Sequence, residues 1–123
     1  MAYKIKIESS FSAAHRLRGY KGKCENLHGH NWKVKAVFAA DELDKTGMLM
    51  DFVKAKKLLS AVLKGLDHKD INSLSFFKKY NPTSELIAKF IFDKLNKNLK
   101  SGVILRKVSV WETPTSCASY SKS

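Results

Sequence analysis

The chain has 123 residues, 44% of them hydrophobic, enough for one domain that buries its own core without metal or disulfide staples. Two cysteines exclude a disulfide framework, and no apolar run reaches membrane-spanning length. The formal charge of +12 fits a lysine-rich solvated surface, an anionic small substrate or nucleic acid, and by itself does not choose among them.

The N-terminus, Met1 to Lys6, lacks the continuous apolar stretch of a signal peptide and reads as the first strand of a cytoplasmic protein. Residues 3–9 alternate, placing Tyr3, Ile5 and Ile7 on one face and Lys4, Lys6 and Glu8 on the other. His15 closes the apolar run after them.

Next comes Cys24-Glu25-Asn26-Leu27-His28-Gly29-His30, which leads into a second alternating strand over residues 30–40. In a strand, residues two apart share a face, so His28 and His30 can grip one ion together, on the side of Trp32 and Val34. His15 can add a third nitrogen from a neighbouring strand. Three imidazoles with one free coordination position is a catalytic zinc arrangement, although other divalent metals accept the same ligands. Cys24 has three readings: a small buried hydrophobe, a fourth ligand closing the site, or a thiolate base whose pKa the metal and histidines lower.

The period then changes. Asp51 can cap a helix whose stripe is Phe52, Ala55, Leu59, Val62, Leu63 and Leu66. Asp67-His68 comes directly after it, either a histidine on the helix dipole or an acid-tuned general acid/base. Asn81 as cap and Pro82 as first helical residue predict a second helix with Leu86, Ile87, Phe90, Ile91 and Leu95 inward, ending before Gly102. Residues 103–112 and 117–121 return to strand character around Thr113-Pro114-Thr115-Ser116. Glu112 shares the parity of Val108 and Val110, so its carboxylate needs a partner: a cation such as Arg106, or a ligand with two parallel N–H donors.

The element order is ββααββ, an α+β domain with a four-stranded antiparallel sheet and both helices on one face. Its long edge strands call for covering or pairing, which points to oligomerisation.

These residues resemble the 6-pyruvoyl-tetrahydropterin synthase family, and within it the 6-carboxy-5,6,7,8-tetrahydropterin synthase branch. The resemblance covers nearly the whole chain through six segments: residues 11–17, 24–30, 47–52, 66–68, 81–85 and 111–113. It implies one T-fold catalytic domain over residues 1–123, with sheets joined into a barrel by a homo-oligomer, typically a trimer and often two trimers stacked as a hexamer. It implies zinc on His15, His28 and His30, Cys24 as the proton-abstracting group, and Asp67 and His68 in a proton relay. Glu112 would anchor the pterin and couple to the relay, and Thr83 and Glu85 would lie near the pterin pocket. Family sites form between subunits, which leaves open whether His68 and Glu112 act on substrate at a neighbouring chain's zinc. The implied substrate is a pterin triphosphate, 7,8-dihydroneopterin triphosphate, with no nucleic acid or membrane partner. The short gap from Cys24 to His28 resembles the carboxy branch, whereas the pyruvoyl branch typically has a longer one. Residues 114–117 depart from the family pattern at the pocket rim.

Overall fold

In the computed structural model, which describes residues 2–19 and 25–122, two long strands form the spine. Strand β1 (Tyr3–His15) runs antiparallel to β2 (His28–Ala40), pairing Tyr3 with Ala40 at one end and His15 with His28 at the other. Strand β4 (Ile104–Thr113) pairs antiparallel with β2, and β5 (Ser116–Tyr120) returns antiparallel along β4. A two-residue strand, β3 (Lys69–Asp70), lies parallel to β1 at Ala13 and Ala14. The sheet order is thus β3-β1-β2-β4-β5, the expected antiparallel four plus one short parallel strand.

Helix α1 (Phe52–Leu63) and helix α3 (Ser84–Leu95) cover one face, with the short α2 (Ser75–Lys79) between them in sequence. Strand parity explains the core. Ile7, Phe11 and Ala13 of β1, Trp32, Val34, Ala36 and Phe38 of β2, and Val108 and Val110 of β4 all face the helices and are buried. Ala55, Leu59 and Leu63 from α1 and Ile87, Ile91 and Leu95 from α3 complete it. Truncating one of these, for example Leu59→Ala, costs about 2–5 kcal/mol through lost burial and a cavity.

Several local expectations are corrected. Phe52 is 57% exposed and Tyr3 46%, because each stands at the start of its element, outside the helix–sheet interface. The second long helix is capped by Thr83, whose hydroxyl accepts the Leu86 N–H at 3.1 Å, not by Asn81. Asn81 instead bonds the backbone of Arg18, and Pro82 lies before the helix. Asp51 caps α1 as expected, accepting from the Val53 N–H. Two edges remain without strand partners among the described residues: β1 before Ala13, and the outer side of β5. No helix of the described residues is long and apolar enough to cross a membrane.

Candidate metal centre

The parity that builds the core also builds the site. Continuing the inward positions of β1 past Ala13 gives His15, and continuing those of β2 backwards past Trp32 gives His30 and His28. On β4 the next inward position after Val110 is Glu112, one step past the last β2–β4 pair, Lys33 with Trp111. The helix-covered face therefore ends in four polar side chains where the apolar residues stop. A ligand atom from each of His15, His28, His30 and Glu112 lies within 4.8 Å of the others. The ring centroids of His15 and His28 are 4.6 Å apart, those of His28 and His30 4.9 Å, and those of His15 and His30 5.6 Å.

Trp32 forms the floor. Its indole donates to the Ala13 carbonyl at 3.1 Å, and its ring stands edge-on to His15 and His30 at 4.8 and 5.4 Å. The bond satisfies the indole N–H where it is fully buried, so the ring is held in place beside the imidazoles.

Two of the rings have their tautomers set by backbone. His15 Nδ1 is 2.7 Å from the Pro82 carbonyl, and His28 Nδ1 is 2.7 Å from the Asn26 carbonyl. A carbonyl only accepts, so each Nδ1 carries the proton and each Nε2 offers its lone pair. Metal-bound histidines are commonly fixed in this way. His15 is 1% exposed, and burial pushes its pKa below the ordinary value, opposed by the Pro82 bond and the Glu112 charge. The ring is thereby kept neutral, the form that binds metal.

The unsatisfied atoms test whether a metal fits. His15 Nε2 and His30 Nε2 are buried with no hydrogen-bond partner. Glu112 approaches them at 3.9 and 3.0 Å, but without hydrogen-bond geometry. An unsatisfied buried polar atom costs about 1–3 kcal/mol, so two aimed at one point ask for a bound partner. A divalent cation suits the donor set of His15, His28, His30 and Glu112. Of the two kinds of partner open to Glu112, the described contacts show the imidazoles and Ser84, with no ion pair to Arg106 among them. One of its oxygens, Oε2, lies 3.3 Å from the Ser84 hydroxyl at the start of α3.

Among the described residues, no other anticipated residue joins this cluster. Cys24 lies outside the described residues. Thr83 is committed to its helix cap, and Glu85 is exposed in the first turn of α3; no described hydrogen bond or ion pair joins the side chain of either to the imidazoles. Ser84, between them, makes the contact to Glu112, and no strand or helix periodicity signals it. Asp67 and His68 form a separate pair at the edge of β1. Asp67 Oδ1 accepts the Ser12 N–H at 2.9 Å, the His68 N–H donates to the Ser12 carbonyl at 2.6 Å, and His68 Nδ1 meets Asp67 Oδ2 at 3.0 Å. His68 has φ +58 and its side chain is 82% exposed. The Ser12 N–H bond, with His68 adding to it, holds the Asp67 carboxyl below its usual pKa. No described contact joins this pair to the imidazoles of the same chain.

A cavity of about 1010 Å³ lies elsewhere, against the early residues of β1 and β4. Lys4, Lys6, Lys35, Arg106, Lys107 and Lys122 line it, with no Asp or Glu among its described lining residues.

Known proteins share this arrangement of elements. The family model described as 6-pyruvoyl tetrahydropterin synthase matches residues 4–123. A 6-carboxy-5,6,7,8-tetrahydropterin synthase of Synechocystis is 42% identical over 118 residues, covering 92% of this chain and 88% of that protein. A dihydroneopterin monophosphate aldolase of Pyrococcus furiosus is 38% identical over 112 residues, covering 91% of each. The solved structure of Caenorhabditis elegans 6-pyruvoyl tetrahydropterin synthase superposes with a TM-score of 0.87 at 36% identity, covering 98% of this chain and 96% of that one. The family match spans β1 through β5, and the chain belongs to the 6-pyruvoyl tetrahydropterin synthase family.

Proposed function

We propose that this chain is a zinc-dependent 6-carboxy-5,6,7,8-tetrahydropterin synthase, a carbon–carbon lyase in a queuosine-type pathway. It would convert 7,8-dihydroneopterin triphosphate and one water to 6-carboxy-tetrahydropterin, acetaldehyde and triphosphate. The observation that carries the reading is the convergence of His15, His28 and His30, with two Nε2 lone pairs oriented by backbone carbonyls, beside Glu112. The carboxy branch is favoured by the three-residue gap between Cys24 and His28 and by the Synechocystis relative.

His15, His28 and His30 would hold the zinc, which supplies Lewis acidity to the hydroxyls of the substrate side chain. Glu112 would accept two N–H groups from the amino-pyrimidine edge of the pterin, a charge-assisted bidentate contact that orients the side chain. Cys24, as thiolate, would take the proton from the carbon attached to the ring. His68, oriented by Asp67, would return protons as triphosphate leaves and the carbon–carbon bond breaks. Because no described contact joins Asp67 or His68 to their own chain's imidazoles, this role would be met by a second subunit. A homo-oligomer, a trimer or hexamer closed through the free strand edges, would supply it and give the protein its barrel. Thr83 and Glu85 would border the pterin pocket at the start of α3. Such an enzyme would work in the cytoplasm, with no nucleic-acid or membrane partner.

The likeness to the worm enzyme favours one second reading, formation of a pyruvoyl-pterin by loss of triphosphate alone. Product analysis separates the two. Zinc-loaded protein given 7,8-dihydroneopterin triphosphate should release one acetaldehyde per turnover. A pyruvoyl-pterin without acetaldehyde would move the protein to the sister activity. Cys24→Ala should retain zinc and lose turnover; loss of the metal instead would make Cys24 a ligand.

A further inference from the structure

We propose that Asn81 is a positioning residue for the imidazole site, acting through the Pro82 carbonyl on His15; the inference rests on the proposed metal centre. After His15 the chain leaves the sheet, yet residues 16–18 are still held as though by a further strand. Asn72 and Asn81 do this with the same chemistry. Asn72 Oδ1 accepts the Arg16 N–H at 2.8 Å and its amide donates to the Arg16 carbonyl at 3.0 Å. Asn81 Oδ1 accepts the Arg18 N–H at 2.8 Å and its amide donates to the Arg18 carbonyl at 2.8 Å. The backbone donor and acceptor fix which way each amide points.

The two clamps differ in their next residue along the chain. Asn81 precedes Pro82, whose carbonyl accepts the His15 Nδ1 proton at 2.7 Å. The Asn81 carbonyl also accepts the Thr83 N–H at 2.8 Å, closing a tight turn around the buried Pro82. Residues 81 and 82 thus grip the segment 15–18 at both ends, and neither contact leaves the Pro82 peptide free to rotate. Proline adds a fixed φ and no N–H that could compete. The chain of cause runs from the Asn81 amide to the Pro82 peptide plane, then to the His15 tautomer and the direction of its Nε2. Asn72 grips the same segment without touching any imidazole partner, so it serves as the matched control.

The test compares Asn81→Ala with Asn72→Ala in the full chain, using two measurements. The first is a long-range proton–nitrogen spectrum of the metal-free protein, which reports the His15 tautomer. Wild type and Asn72→Ala should show the Nδ1-protonated form, whereas Asn81→Ala should show a mixture. The second is zinc affinity by competition with a chromophoric chelator. Loss of an outer partner of a ligand histidine lowers affinity about 10–100-fold; Asn81→Ala loosens that partner without removing it, so its affinity should fall by about tenfold and that of Asn72→Ala by less than about threefold. The proposal is overturned if the Asn81→Ala tautomer is unchanged, or if both variants lose affinity equally. If Asn81→Ala does not fold, Asn81→Asp keeps the bond from the Arg18 N–H and should give a smaller shift of the tautomer and a smaller affinity loss, both still beyond Asn72→Ala. Wild type failing to bind zinc, or His28→Ala binding it as tightly, would overturn the metal reading, while the tautomer comparison still decides the part played by Asn81.

Discussion

His15 and His68 are both proposed to serve one reaction, yet the molecule holds them by opposite means. His15 is 1% exposed, sits in a paired strand and meets a backbone carbonyl through one nitrogen. His68 is 82% exposed, has a left-handed backbone and leans on the residue before it in sequence. A ligand histidine needs a fixed lone pair and a neutral ring, which burial and a carbonyl provide. A proton carrier needs access and a carboxylate nearby, which an exposed turn provides. A left-handed non-glycine residue costs of order 1 kcal/mol and persists only where neighbouring contacts determine it. Here those contacts are the two bonds to Ser12.

The difference can be measured by mutation. His28→Ala, chosen because His28 is less buried than His15, should abolish stoichiometric zinc binding and bring product formation to background; metal analysis and acetaldehyde release check it. His68→Ala should leave zinc content intact and lower kcat about 10²–10⁴-fold, the usual contribution of a general acid/base. Retained turnover would remove His68 from the relay. Glu112→Gln should keep zinc and lower kcat/KM about 10–100-fold, as expected for a hydrogen bond to a charged group of about 1.5–3 kcal/mol. Loss of zinc in that variant would make Glu112 the fourth ligand and the site closed.

The smallest effect concerns a carboxylate in neither region. The Thr46 hydroxyl and the Met48 N–H hold Asp44 at a pKa of about 2, against 3.8 normally. A depressed carboxylate stabilises the fold above its unfolded pKa, and that stability is lost as pH falls from 3.8 to about 2. Asp44→Asn should therefore be less stable than wild type in urea melts at neutral pH, with the gap closing near pH 2.

Strand parity made much of the centre readable from the residues. The alternation that puts Trp32 and Val34 inward also carries His28 and His30 inward, and Val108 and Val110 do the same for Glu112. The features without a sequence signal were set by contacts distant along the chain. Asn81 and Pro82 have the local chemistry of a helix start, but Arg18 and His15 claim their polar groups, and the cap passes to Thr83. The strand β3 exists because Ser12 offers a donor and an acceptor to residues 67 and 68. The helix α2 is a single turn around the buried Phe77, too short for a periodic signal. The separation of Asp67 and His68 from the imidazoles likewise depends on geometry that spacing does not encode.

The most direct test of the three-imidazole centre is X-ray absorption at the metal edge of the zinc-loaded protein. Three imidazole nitrogens at about 2.0–2.1 Å and one exchangeable oxygen are expected, with no sulfur. A sulfur scatterer at about 2.3 Å, or fewer than three imidazoles, would contradict that centre.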